Sequence, residues 1–195
     1  LRYLGLFDWG SLDARAYHEM IRHAMDFGDD KQFVYGVAPG IVAPGMPMDT
    51  DSRNLGGVVK TNINLTNQHT LRLGGEYQYY RLDDRWPPSP AVLPPGFMFG
   101  GMAPNVFTNI NDGTRERKAL FAEWETRLHP QWLTLLGARY ERVKMDTGDV
   151  QGYNDMMAGY KAAADAFNAR NHNRNDNNWD LTALARYTPT APLGL

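Results

Sequence analysis

Runs of strict polar–apolar alternation are joined by connections that are short and long in turn, and this pattern constrains the fold more than any other feature. In 53–65, Leu55, Val59, Ile63 and Leu65 fall on one face, with Asn54, Lys60, Asn62 and Asn64 on the other. After Thr66-Asn67-Gln68-His69 the alternation resumes, with Leu71, Leu73, Tyr77 and Tyr79 against Arg72, Glu76 and Gln78. A period of two is the signature of a strand with two unlike faces, and a short polar turn between two such runs predicts a hairpin. A second hairpin is predicted around His129-Pro130-Gln131. Its first arm sets Leu120, Ala122, Trp124 and Leu128 against Arg117, Glu123, Glu125 and Arg127. Its second sets Leu136, Ala138 and Tyr140 against Arg139 and Glu141, with Leu135 and Arg142 breaking the rule. The last run, 178–188, opposes Trp179, Leu181, Ala183, Ala185 and Tyr187 to Asn178, Asp180, Thr182 and Arg186. Residues 11–26 alternate less cleanly, placing Arg15, Glu19, His23 and Met25 on the polar face, and 1–7 reads as a further strand turning at Asp8-Trp9-Gly10.

Short turns at 8–10, 66–69 and 129–131 therefore alternate with long loops at 27–52, 83–114 and 146–177. In an antiparallel meander all long loops then lie at one end, the asymmetry of outer-membrane barrels. The runs are about 11 to 14 residues long, more than a globular strand needs and enough to cross a bilayer at a tilt. Tyr79, Tyr140 and Trp179 lie toward the long-loop end, Trp132 and Tyr187 toward the short-turn end, as two interfacial belts require. A soluble β-sandwich alternates equally well but has no reason for these asymmetries. The expected fold class is all-β: an antiparallel up-and-down transmembrane β-barrel segment of about 7 strands.

Composition agrees. Mean hydropathy is −0.51, as expected when only every second strand residue meets lipid. A net charge of −2 gives no support to a nucleic-acid partner. With no cysteine, neither disulfides nor thiolate metal sites can form within the chain. The chain opens on Leu1-Arg2-Tyr3-Leu4 and reads as an internal piece.

Three stretches resemble TonB-dependent outer-membrane receptors: LRLGGEYQYYRLDDRWPP (71–88), NINDGTRERKALFAEWETRLHPQWLTLLGARYERVKMDTGDVQGYN (109–154) and DNNWDLTALARYTP (176–189). The resemblance implies a barrel of about 22 strands around a plug, bacterial outer-membrane lipid as surroundings, and a TonB complex that drives uptake. Residues 1–195 are then expected to be a partial barrel domain, with plug and C-terminal strands outside it.

Ligand chemistry is less constrained. His23 and Met25 alternate into the lumen near the long loops, and imidazole with thioether suits copper, above all Cu(I). The context RHAMD, with Met46-Pro47-Met48 beyond it, resembles the copper branch of the family, which implies a His-x-Met pair completed by Cys and Met of the plug. The plain alternative is a histidine hydrogen-bonded to Glu19 or Asp26. Met98, Met102, Met156 and Met157 also fall in long loops, either as soft ligands or as flexible filler. Trp86, Phe97, Phe99 and Phe107 form a candidate aromatic platform for an iron–siderophore or other chelate, or pack together to order their loop. Arg72, Glu76, Arg117, Glu123, Glu125, Arg127, Arg139, Glu141 and Arg186 are expected to form a lumen charge network against the plug. No resident cofactor is expected, only a transported copper or iron chelate. A passive porin and an outer-membrane enzyme are the other classes, but the lumen-facing runs place no Ser/His/Asp set together.

Overall fold

The computed structural model describes residues 1–26, 28, 33–35, 41–43, 47–93, 95–98, 103–152 and 158–189. Seven strands form one antiparallel sheet in which chain neighbours are sheet neighbours. They are β1 (Arg2–Phe7), β2 (Gly10–Met25), β5 (Met48–Asn64), β6 (His69–Trp86), β7 (Phe107–His129), β8 (Trp132–Asp146) and β9 (Arg174–Tyr187). The first long connection carries a small hairpin, β3 (Phe33–Tyr35) with β4 (Ile41–Ala43), and the third carries helix α1 (Ala158–Asn168). The order β1-β2-β5-β6-β7-β8-β9 is an up-and-down meander, with short turns at one end and long connections at the other.

The short turns are held locally. Thr66 Oγ1 accepts the backbone N–H groups of Gln68 and His69, both at 3.1 Å. Gly10 has φ 146°, and a Cβ there would overlap the Asn62 carbonyl oxygen, so the first turn excludes any side chain at this position.

Each predicted run lies in a strand on the face its alternation requires, except that Leu65 falls just past the end of β5. Cross-strand neighbours share a face. One ladder joins Val59, Gly75, Leu120, Tyr140 and Trp179; a parallel ladder on the other face joins Val58, Glu76, Ala119, Glu141 and Asn178. Apolar side chains of the first face stay open, with Leu120 at 67% and Leu181 at 80% exposure. Among the described residues no large side chain is fully buried, and Ala103, Ala119 and Ala164 are the buried apolar ones. The strands thus form a single layer with no core of their own, which water alone would not stabilise and a bilayer on the apolar face would.

The strands are longer than the alternation suggested. β5 begins at Met48, β6 runs to Trp86, β7 spans 23 residues from Phe107, and β9 starts at Arg174. Residues assigned to loops, including Met48, Asp83, Asp84, Trp86 and Phe107, are strand residues. The reason is physical: beyond the hydrocarbon both faces meet water, so hydrogen-bonded pairing continues while the alternation that marks it fades. Register shifts at Leu82, Asp84 and Arg85 mark this upper part, where Asp112 adopts φ 49° and its N–H reaches Asp83 Oδ1 at 2.7 Å.

Candidate functional site

The polar face carries two guanidinium–carboxylate clusters. In the upper one Arg139 Nη2 donates to Glu76 Oε2 at 2.8 Å and Glu141 Oε2 at 2.9 Å. Arg117 approaches the same two carboxylates at 3.4 and 3.7 Å. These chains roof Ala119, which is 3% exposed and is the cross-strand neighbour of both Glu76 and Glu141. In the lower cluster Arg72 Nη2 donates to Glu125 Oε2 at 2.7 Å and stands 3.8 Å from Glu123, while Arg127 reaches Glu125 at 3.4 Å. Arg186 joins neither cluster; it lies opposite Leu133 on β8. Eight of the nine expected residues therefore fall into two groups with Phe121 between them, and Arg186 stands apart. The Phe121 ring lies over Gly74, with Lys60 Nζ 5.8 Å and Arg139 Cζ 6.0 Å from its centroid.

At the long-loop end the polar face changes. Met25 and Met48 are direct cross-strand neighbours, and His23, two residues back, is opposite Thr50. All four therefore share the polar face, and Met48 enters the set through register rather than through a loop. Glu19 accepts from Asn54 Nδ2 at 3.0 Å and Asp26 accepts from the Gly28 N–H at 2.7 Å. Neither carboxylate is bonded to His23. Thr50 Oγ1 donates to Asp84 Oδ1 at 2.9 Å, and Asn109 Nδ2 donates to Asp84 Oδ2 at 2.8 Å. Asp84 is 8% exposed, so this trio is a fixed polar floor beside His23. Thr50 and Asn109 were not among the expected site residues. The turn at 66–69 sets the register that pairs Thr50 with Asp84, so extending the hairpin would have found that pair.

The other expected positions are more dispersed. Trp86 and Phe107 are cross-strand neighbours in edge-to-face contact at 5.3 Å, whereas Phe97 is 41% exposed. Met46, Phe99, Met102, Met156 and Met157 lie outside the described residues. A cleft of about 760 Å³ at the long-loop end includes His23 in its lining but opens mainly among Arg22, Asp51, Arg53, Arg81 and Asp83 of the outward face. Several of its charges are paired, Arg81 with Asp112 at 2.6 Å and Arg22 with Asp51 at 3.3 Å. Among the described residues no group of three or more His, Cys, Asp or Glu side chains could hold a metal ion.

A single antiparallel layer with one charged face, one apolar face and two aromatic levels is a segment of a transmembrane β-barrel wall. Outward, Tyr140 and Trp179 lie 5.0 Å apart near the long loops, and Trp132 and Tyr187 4.7 Å apart near the short turns. The profile of the family described as TonB dependent receptor-like, beta-barrel matches residues 3–195, and the chain belongs to this family. The polar face is accordingly the lumen side. Members of the family are outer-membrane receptors and transporters, not enzymes. A solved structure, "Copper transporter OprC", superposes with a TM-score of 0.65 at 14% identity over 97% of this chain, a likeness of fold. The chain spans 27% of that protein's length. No curated protein matches the sequence.

Proposed function

We propose that the chain is part of the barrel of a bacterial outer-membrane receptor that takes up a metal or metal chelate with energy delivered through TonB, and that the metal is copper. One observation carries the reading: His23, Met25 and Met48 share the lumen face at the long-loop end, with the two methionines directly opposed. Thioether and imidazole are soft and borderline ligands that select Cu(I) over the hard cations of the surroundings. A plug inside the barrel would supply the remaining ligands and would rest on the Arg–Glu clusters of the wall. The fold likeness to a protein named as a copper transporter supports the same choice.

A second reading, capture of an iron–siderophore, is favoured by the Trp86–Phe107 pair at the rim, an aromatic surface of the kind that stacks on an organic chelate. A Cu(I) titration of the full receptor against a competing chelator separates the two. His23→Ala, Met25→Ala and Met48→Ala should each weaken copper binding by about tenfold or more, at least the loss that follows removal of a ligand's outer-shell partner. Unchanged affinity in all three would sink the copper assignment.

A further inference from the structure

The outward face changes character between two adjacent rungs of the sheet. One rung is apolar and aromatic: Val59, Gly75, Leu120, Tyr140 and Trp179. The next rung toward the long loops brings Lys118 beside Arg142, and the one above it brings Glu116 beside Lys144. Three cations thus meet one carboxylate on the long-loop side of Tyr140 and Trp179, in the rungs of Tyr77 and Tyr79. Lys118 Nζ contacts Glu116 Oε1 at 2.5 Å, and Arg142 Nε donates to Asn175 Oδ1 at 3.0 Å. A small cleft opens between Glu116, Lys118, Arg142 and Lys144. The cluster keeps a positive excess with most of its donors free.

Beside it, and reaching one rung further toward the short turns, runs an apolar groove of about 850 Å³. Gly57 and Gly75 form its floor, where neighbouring strands carry side chains, and Leu55, Val59, Leu120 and Tyr140 form its walls. Lys118 and Arg142 line it on the side of the cluster, in the same rung as Gly57 and Tyr77. Cations on the lipid side of a barrel wall are costly in proportion to depth, and the cost vanishes only near the interface or against an anion. A phosphate offers that anion, through charge-assisted bonds and the bidentate geometry that arginine favours. An acyl chain fits a groove that glycines leave empty.

We propose that this surface binds a phosphorylated lipid of the adjoining leaflet, its phosphates held by Lys118, Arg142 and Lys144 and an acyl chain lying over Gly57 and Gly75. The proposal rests on the outer-membrane placement given above. Its occupant is a lipid rather than a free anion because the cation cluster and the apolar groove are continuous.

The test is native mass spectrometry of the full receptor offered bisphosphorylated lipid A, monophosphoryl lipid A or phosphatidylcholine. The wild type should retain bisphosphorylated lipid A about tenfold better than phosphatidylcholine, with the monophosphoryl form between them. The combined substitution Lys118→Gln, Arg142→Gln and Lys144→Gln should abolish that preference while the heat-modifiable migration of the folded barrel persists. Gly75→Val, which fills the groove, should weaken retention of all three lipids. Equal lipid A retention by the triple variant, or binding of inorganic phosphate without lipid preference, overturns the site. Cell fractionation tests the placement separately, since lipid retention is read on purified protein.

Discussion

At the scale of single residues, the lumen wall is built by fitting large side chains over missing ones. Phe121 lies flat over Gly74, and Tyr17 over Gly56, so a Cβ at either glycine would overlap the ring above it. Gly74 also keeps Phe121 where Lys60 and Arg139 approach its ring, which ties the packing to the Arg139–Glu76 cluster. Gly74→Ala should therefore destabilise the folded receptor by about 1–3 kcal/mol, the usual cost of overpacking. Urea-induced unfolding in detergent checks it, and a stability equal to wild type would show that the ring moves aside at no cost. Sequence alone located the charged residues of this wall because alternation assigns faces. It could not pair them, because which arginine meets which glutamate depends on rotamers across strands. Arg186 was grouped with the rest by its face, yet its cross-strand neighbour Leu133 gives it no carboxylate.

At the scale of elements, the described parts of the third long connection, 147–152 and 158–173, are tied to each other and to the barrel rim. Asn168 exchanges two hydrogen bonds with the Val150 backbone, both at 2.8 Å, and Gly148 N–H donates to the Asn111 carbonyl at 2.7 Å. His172 closes this fold: its ring stacks on Phe167 at 4.4 Å, and Nδ1 and Nε2 each lie 2.9 Å from a carbonyl oxygen, those of Thr147 and Phe167. Carbonyls only accept, so both contacts are satisfied when both ring nitrogens carry protons. The bond to Phe167 raises the His172 pKa most, helped by that to Thr147 and by Asp149 and Asp146. A pKa raised by folding means a contribution present in full below the unfolded value and lost as pH rises through the folded value. Proteolysis of the 147–173 segment should accordingly speed up from mildly acidic to mildly alkaline pH in the wild type. His172→Ala should be cleaved quickly throughout. A wild-type rate that follows the variant's pH profile would remove the clamp.

The same scale shows why some registers were legible and others were not. β5 pairs with β6 through a short turn, so counting outward from Thr66 fixes every partner up to Thr50–Asp84. β2 pairs with β5 across a long connection, and nothing local sets their offset. The opposition of Met25 and Met48 could be read only from the sheet. Helix α1 escaped notice because its Ala-rich stretch lies between Gly- and Asn-rich residues, where a loop is the ordinary reading.

At the scale of the whole molecule, the chain is one stretch of wall whose two faces serve two media. The lumen side carries the two Arg–Glu clusters and, near the long loops, His23, Met25 and Met48. The outward side carries the apolar belt, the aromatic levels and the cation cluster. Uptake of copper is the proposal that rests on His23, Met25 and Met48, and accumulation of radiolabelled copper by copper-starved cells producing the full receptor measures it. The account predicts accumulation that requires TonB and falls about tenfold or more when Met25→Ala and Met48→Ala are combined, with surface levels of the receptor unchanged. Accumulation that is independent of TonB, or equal in the double variant, would contradict it.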